Sequence, residues 1–449
     1  MIRAARRILP LKLSLQQMPK HPKQIPFLVY ADEEGNIFED DELLMTGRSG
    51  FDAVALDCKD LIELPEGSDV FMLPQRKPIG LAKNGRDPLV CDKGFAVAAQ
   101  LAPAHTQFYL SSFIKNSDAI TLPLYAYTAI GWLDGKFYVP AVRVDPDIRQ
   151  EPKSFNHKLV NKNVKRLTRK FPDNRLVAHI GNNCALTYHC PAARNFFLNR
   201  YEAPIPTSPA CNSNCIGCIS FQPPGESIYS TQERLTFKPA TKEIVEYSVE
   251  HLETAPNPVI SFGQGCEGEP LLMWETIRDA IREIRKRTQK GSININTNAS
   301  MPEAVEELCK AGLNSIRVST NSMRKNIYDA YYLPNNYSFD ALAESIRVVR
   351  KYHGWASVNY FVFPGMTDDE EEYEALLRFI SETDLNMIQW RNFNIDPDWY
   401  LERIGVNQTA PTLGIKNLMK KIKARFPRIA FGYFNPGRDF IKAHSIAIA

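Results

Sequence analysis

The sequence lacks an apolar run near the roughly 20 residues that a membrane-spanning helix needs, and its start lacks the uninterrupted apolar stretch of a secretory signal. It also lacks an excess of one charge, since 54 Lys and Arg face 51 Asp and Glu, for a net charge of +3. That balance does not point to a membrane or to nucleic acid. We therefore expect a folded cytoplasmic protein with no membrane partner. Basic residues near the start leave an organellar transit peptide as an alternative: Arg3, Arg6, Arg7, Lys12 and Lys20.

No internal repeat or low-complexity tract occurs in the 449 residues, and this length favours two domains over one. The nine cysteines are an odd number, and three of them lie within eight residues. Without a sign of export, this pattern argues against a disulfide framework and leaves reduced thiolates available to bind metal.

The period of the apolar residues changes near residue 200. Upstream, short runs rich in Val, Tyr and Phe alternate with turn residues, and Asp134-Gly135 between two runs predicts a tight hairpin. We predict an N-terminal mostly β domain within residues 1–200, including a strand at Leu122–Thr128.

An amphipathic helix is predicted at Leu159–Phe171, with apolar side chains on one face. The other face of this segment, residues 158–170, is strongly basic. A solvated surface is the simpler interpretation, and a contact for an anionic substrate or RNA is the alternative.

Downstream of residue 200, predicted strands and helices alternate with short connections, which is typical of a parallel sheet built from βα units. Six such units predict an α/β fold, a partial (β/α)6 TIM-like barrel within residues 201–449, with a helix and a strand at its C-terminal end. A capping box of Thr367 and Glu370 is predicted to open one helix. Reactive groups of such barrels lie at the C-terminal ends of the strands.

Cys211, Cys215 and Cys218 follow the first predicted strand of this barrel within one short loop. Iron–sulfur clusters are held by cysteine thiolates, normally four, so three thiolates would leave one iron free to bind a substrate or cofactor. A zinc knot or three unrelated buried cysteines are the alternatives.

The loop CNSNCIGC resembles the CxxxCxxC loop of the radical S-adenosylmethionine (SAM) superfamily. Gly265-Cys-Glu-Gly-Glu-Pro270 after the second strand is similar to the GGEP motif that binds the SAM amino group in that superfamily. The resemblance covers about residues 203–395, and later strand ends resemble the segments that contact the ribose, carboxylate and adenine. Gly217 departs from the aromatic residue that many members have before the third cysteine.

The resemblance implies a [4Fe–4S] cluster on Cys211, Cys215 and Cys218, and SAM that is reductively cleaved to a 5′-deoxyadenosyl radical. The predicted SAM-binding residues are Gly265, Glu267, Gly268, Glu269, Asn296, Thr297, Asn298, Ser319, Asn321 and Phe363. Acidic and amide side chains among them suit the ammonium and hydroxyl groups of SAM. Cys266 and Arg391 are the predicted catalytic residues, with Cys266 as a hydrogen donor or metal ligand and Arg391 bound to a substrate or SAM carboxylate. A packing role, which is the simpler interpretation for Cys266, and a structural salt bridge of Arg391 are the alternatives.

The substrate is not identified by the sequence, since a peptide, RNA and a small molecule all suit the fold. A reductase, flavodoxin or ferredoxin would supply electrons. A non-catalytic zinc or iron–sulfur interaction module and a radical SAM methyl or methylthio transferase are the alternatives. Four further cysteines, Cys58, Cys91, Cys184 and Cys190, are candidates for a second metal site.

Overall fold

The computed structural model describes residues 21–85, 87–408 and 410–446, so the basic residues at positions 3–20 lie outside the described chain. Among the described helices, none combines the length and the apolar character that crossing a bilayer requires.

The N-terminal region is built from antiparallel strands. They are β1 Phe27–Ala31, β2 Ile37–Met45, β3 Gly47–Ser49, β4 Asp52–Val54, β5 Leu61–Glu63, β6 Asp69–Leu73, β7 Arg76–Ala82, β8 Pro88–Val90, β9 Phe95–Gln100, β10 His105–Gln107, β11 Phe113–Lys115, β12 Gly131–Leu133 and β13 Lys136–Arg143. All but β3 and β4 join one sheet, and alternate residues such as Val29, Val97 and Val139 fill a core beneath it. The mostly β character is confirmed, and the boundary near residue 200 stays a prediction.

The hairpin at Asp134-Gly135 is confirmed: both residues have positive φ, 50° and 80°, and connect the antiparallel β12 and β13. The strand predicted at Leu122–Thr128 is wrong. Only Thr128 makes isolated bridges there, and the backbone N–H of Leu122 donates to the Asp396 carboxylate instead of to a strand. The apolar residues of this segment are buried because they fill core space from an unpaired extended chain.

Three short helices connect the two regions: α1 His157–Lys170, α2 Arg175–His179 and α3 Pro191–Phe197, with a π-helix at Ile180–Thr187 between the last two. The amphipathic helix is confirmed in α1, which buries Val160, Val164 and Leu167 and begins at the Asn156 cap.

The C-terminal region is a parallel sheet whose strands follow one another in chain order. Its strands are β14 Glu202–Ile205, β15 Val259–Phe262, β16 Ser292–Thr297, β17 Ser315–Thr320, β18 Trp355–Val362, β19 Met387–Asn392 and β20 Ala430–Gly432. Its helices are α4 Thr241–Thr254, α5 Trp274–Arg287, α6 Pro302–Ala311, α7 Lys325–Tyr332, α8 Asp340–Lys351, α9 Glu370–Thr383, α10 Pro397–Arg403, α11 Ile415–Arg425 and α12 Arg438–Ile446. The partial TIM-like barrel is confirmed, and β20 extends its six predicted strands to seven.

The predicted capping box is wrong in detail. Asp369 caps α9, since its carboxylate accepts the N–H of Glu372 at 2.7 Å. The Thr367 hydroxyl instead accepts the N–H of Phe363 and donates to the carbonyl of Phe361, so it closes the turn after β18.

Buried polar contacts fasten the N-terminal sheet to the barrel behind β19. Arg76 and Asp396 form an ion pair at 2.8 Å with both side chains fully buried. The Thr106 hydroxyl donates to the carbonyl of Trp390, and the N–H of Gln107 donates to the Asn392 side chain. A buried ion pair of this kind adds little net stability over apolar packing, but removing one partner leaves an uncompensated buried charge.

Candidate active site

A cavity of about 410 Å³ opens at the C-terminal ends of the barrel strands. In the described chain, its lining residues all lie between positions 211 and 433. Twelve predicted site residues meet there: Cys211, Cys215, Cys218, Gly265, Glu267, Gly268, Glu269, Asn296, Thr297, Asn298, Ser319 and Arg391. The parallel topology explains this convergence, because equivalent strand ends share one edge of the sheet.

The end of α7 holds the cysteine loop in place. Backbone N–H groups of Asn214 and Ile216 donate to the carbonyls of Tyr332 and Tyr331, at 3.1 and 3.0 Å. These carbonyls belong to the last turn of a helix, where they have no intrahelical partner. The cysteine loop therefore completes the helix end, and the helix end fixes the curl of the loop.

The three thiols of the loop suit a polynuclear cluster better than a single ion. Burial, followed by the charge of Glu269, raises the pKa of Cys211 to about 11, and burial raises that of Cys215 well above its usual value. Thiolates here therefore need positive charge, such as iron or the guanidinium of Arg234, which donates to Cys218 Sγ at 3.5 Å. The three sulfur atoms do not all lie within 4.8 Å of one another, whereas tetrahedral zinc would hold its sulfurs about 3.8 Å apart.

Tyr331 covers the position of Gly217. A Cβ atom on Gly217 would lie only 2.8 Å from the Tyr331 hydroxyl oxygen and 3.3 Å from Ile395. The aromatic ring that Gly217 cannot provide next to the third cysteine is thus supplied from α7. Tyr331 lines the cavity beside Phe361 and Phe393.

Glu267 joins the motif after β15 to the end of β14. Its buried carboxylate accepts hydrogen bonds from the N–H groups of Thr207, Ser208 and Gln264, at 2.6 to 2.8 Å. Burial raises its pKa to about 7 despite these donors. Glu267 therefore has a visible role in shaping the loop, and its predicted contact with SAM stays a prediction.

Glu269, in the loop after β15, contacts the end of β16, where its carboxylate accepts hydrogen bonds from the Thr297 hydroxyl and from the N–H of Asn298, the latter at 2.8 Å. Burial raises its pKa to about 7. A cationic group bound in the cavity would stabilise its charged form.

Amide side chains connect the motifs around the cavity. Asn298 Nδ2 donates to the Asn212 side chain at 2.8 Å, which links the end of β16 to the cysteine loop. Asn296 Nδ2 donates to the carbonyl of Gly263 at 2.7 Å. Ser319 lines the cavity, and no bond of its hydroxyl to another described residue is present.

Two arginines lie together across the cavity, and only Arg391 was predicted. Arg391 donates to the carbonyl of Tyr433 and lies 3.6 Å above its ring, while Arg317 donates to Gln389 at 3.2 Å. Burial and then the charge of Arg391 lower the pKa of Arg317 to about 9. Within the described residues, neither has a carboxylate within 4.0 Å. The alternation along β17, with Ser315, Arg317 and Ser319 on one face, was the available signal in the sequence.

Three predicted site residues do not line the cavity. Asn321 donates to the Tyr400 hydroxyl at 3.1 Å, and Phe363 packs against the ring of Tyr400. The Cys266 thiol is buried and lies 3.5 Å from the Cys184 sulfur. The roles predicted for these three residues stay predictions, since none of them lines the cavity.

The candidates for a second metal site separate in space. Among the described residues, Cys184 lies with Cys266 and His179, whose ligand atoms are all within 4.8 Å of one another. Cys91 instead contacts the Asp40 carboxylate, and Cys58 begins a short 3₁₀ turn in the β region.

The family comparison matches residues 205–379 to the radical SAM superfamily. Among solved structures, the chain is similar to HydG, a maturase of the [FeFe]-hydrogenase, at 15% identity and a TM-score of 0.36, over 63% of this chain and 64% of HydG. It thus spans less than two thirds of HydG. Methylornithine synthase (PylB) matches at 14% identity and a TM-score of 0.37, over 61% of this chain and 75% of that one. Streptococcus suis SuiB, solved with its precursor peptide SuiA, matches at 13% and 0.37, over 73% of each chain.

No curated protein matches the chain. The family match contains the strand ends that carry the cysteine loop, the Gly265–Pro270 motif and the Thr297-Asn298 pair. Residues 205–379 are thus similar to the radical SAM superfamily, whose enzymes use a [4Fe–4S] cluster and SAM.

Proposed function

We propose that the chain is a radical SAM enzyme acting on an anionic substrate. The observation that carries the proposal is one cavity that receives three thiols from a single loop together with a buried acid and a row of amides. Loaded with cluster and SAM, this site would supply an electron that splits the sulfonium into methionine and a 5′-deoxyadenosyl radical, which removes a hydrogen atom from the substrate.

Separate residues of the chain would bind the cluster and SAM. Cys211, Cys215 and Cys218 would hold three irons, and the fourth iron would be left for the cofactor. Glu269 is the acid of the Gly265–Pro270 motif whose charge acts on Cys211, which supports it as the acceptor of the SAM ammonium group. Asn298 and Ser319 would donate to SAM oxygen atoms.

Gly268 allows the motif to approach the cysteine loop. A Cβ atom on Gly268 would lie 1.9 Å from the carbonyl oxygen of Ala210, the residue before Cys211. Any side chain here would push Glu269 away from the cluster position. The rings of Tyr331, Phe361 and Phe393 form an apolar wall that would exclude water from the reactive centre.

Anaerobic reconstitution tests this function. The wild-type chain should bind about four irons and form 5′-deoxyadenosine from SAM when dithionite supplies electrons. Cys215→Ala should lose both properties. Cys309→Ala, which removes a buried thiol from α6, should keep both. A chain that binds zinc and forms no 5′-deoxyadenosine would instead support the interaction module.

The arginine pair supports an anionic group on the substrate. Two half-buried guanidinium groups without a carboxylate partner repel each other, and a bound carboxylate or phosphate would remove that repulsion. If the pair binds substrate, Arg391→Gln should leave the affinity for SAM within about twofold of wild type. A tenfold or larger loss of SAM affinity, equal to about 1.4 kcal/mol, would assign the pair to the SAM carboxylate.

We propose two kinds of partner for the chain, an electron donor and an anionic partner. A reductase, flavodoxin or ferredoxin would supply the electron in the cell. The exposed basic face of α1 is proposed as a contact for an anionic partner. Binding of a labelled single-stranded RNA should weaken when Lys162 and Lys165 are both changed to Glu, and RNA binding that is independent of salt would argue against this contact.

A further inference from the structure

The group formed by His179, Cys184 and Cys266 lies outside the cavity and is not used by the proposed chemistry. It draws on three separate pieces of chain: the end of α2, the following π-helix and the loop after β15. Cys184 and Cys266 are 3% and 5% exposed, so this is an interior cluster of soft ligands.

The spacing of the ligand atoms fits one metal ion. The two sulfur atoms are 3.5 Å apart, and an imidazole nitrogen lies within 4.8 Å of both. Tetrahedral zinc with bonds of about 2.3 Å to sulfur places two sulfurs about 3.8 Å apart. Small side-chain rotations would therefore bring the three atoms onto a common ion.

The local backbone also favours this arrangement. In an α-helix, residues five apart such as His179 and Cys184 point about 140° away from each other, because each residue turns the chain by about 100°. The helix changes to π geometry at Ile180, directly after the histidine, and this wider turn brings both side chains to one side. π-helical turns are rare and occur frequently at functional sites.

A third observation concerns the hydrogen bonding of the His179 imidazole. His179 Nε2 is buried and has no hydrogen-bond partner in the described chain. A buried polar atom without a partner is costly, and a metal bond is one way of satisfying it.

From these observations we propose that His179, Cys184 and Cys266 bind a zinc ion, with water in the open fourth position. Two cysteines and a histidine are typical of zinc, and their mixture of soft and intermediate donors disfavours magnesium or calcium. The ion would fasten the loop that carries Glu267 and Glu269 to the π-helix. Cys266 would thus act as a metal ligand that positions the SAM loop, and not as a hydrogen donor.

The test separates this zinc from the iron of the cluster. A chain in which Cys211, Cys215 and Cys218 are all changed to Ala cannot hold the cluster, yet it should purify with about one zinc per chain by elemental analysis. Adding Cys184→Ser or His179→Ala to that chain should reduce zinc at least fivefold, while Cys309→Ser should leave it unchanged. Cobalt in place of zinc should show sulfur-to-cobalt charge-transfer absorption that Cys184→Ser weakens.

A second measurement uses the intact enzyme. Zinc-edge X-ray absorption of the iron-loaded wild-type chain should give two sulfur neighbours and two nitrogen or oxygen neighbours, near the distances expected for zinc. The proposal is overturned by a metal-free triple variant with native circular dichroism, by zinc that survives Cys184→Ser, or by a Cys184–Cys266 disulfide found in peptide mapping. None of these results depends on whether SAM is cleaved.

Discussion

Replacing Gly217 with alanine tests the packing of α7 on the cysteine loop. The added methyl carbon would lie 2.8 Å from the Tyr331 hydroxyl oxygen, well inside normal contact distance. Tyr331 cannot simply withdraw, because its ring is packed against Tyr332 and Phe393, with ring centroids 4.9 and 5.0 Å apart. Crowding of this kind in a packed region costs about 1–3 kcal/mol of the free energy of unfolding.

The clash can be relieved from the other side. Tyr331→Phe removes the oxygen at 2.8 Å and leaves contacts of 3.3 Å with the Tyr331 ring and with Ile395, which require shifts of only a few tenths of an ångström. The double variant Gly217→Ala/Tyr331→Phe should therefore be more stable than the sum of the two single changes predicts. We expect a coupling of about 1–2 kcal/mol in favour of the double variant.

Urea denaturation followed by tryptophan fluorescence would measure the four free energies of unfolding in this cycle. Iron content after reconstitution should follow the same order, because the loop that is crowded also carries the cluster ligands. Additive effects of the two changes, within about 0.3 kcal/mol, would show that Tyr331 does not cover Gly217 and would refute the arrangement of α7 described above.

Three further changes test other parts of the structure. Burial lowers the pKa of His251 to about 4. Between about pH 4 and pH 6.5, His251 therefore stays neutral in the folded chain but is protonated in the unfolded chain. Stability should thus fall by up to about 3 kcal/mol as the pH drops from 6.5 to 4, and His251→Gln should remove that part of the pH dependence in thermal melts. Arg76→Leu should cost about 3–5 kcal/mol of unfolding free energy in urea titrations, because it leaves the buried Asp396 carboxylate unpaired. Gly268→Ala should reduce SAM affinity at least tenfold in calorimetric titrations, because its methyl group would meet the carbonyl of Ala210.

For each of these three variants, one result would contradict the expected effect. If His251→Gln loses as much stability as wild type between pH 6.5 and pH 4, another buried group governs acid unfolding. A cost below about 1 kcal/mol for Arg76→Leu would show that water reaches Asp396. Wild-type SAM affinity in Gly268→Ala would mean that the motif does not press against the cysteine loop when SAM is bound.

The order of strands and helices in the barrel was predictable because each buried strand is a short apolar run between amphipathic helices. Val259–Phe262 and Ser292–Thr297 agree with the structure at both ends. The segment Leu122–Thr128 is also apolar, but only Thr128 makes isolated bridges there, because composition alone does not encode pairing. The strand Ala430–Gly432 is only three residues long, and its pairing with β19 was not predicted.

The candidate site was predictable where its residues follow strand ends in a recognisable motif, as the cysteine loop does. Arg317 was missed because a single charged residue within a strand gives no motif, and only the barrel shows that this face is internal. The contact of Cys266 with Cys184 was missed because it joins residues 82 positions apart through a π-helix that no sequence period announces.

Electron paramagnetic resonance of the reduced, reconstituted chain would show whether the three thiols leave one iron open to SAM. We expect a [4Fe–4S] signal whose g values shift when SAM is added. A signal that SAM leaves unchanged, or a chain that takes up no cluster at all, would mean that this loop does not hold an iron open to SAM.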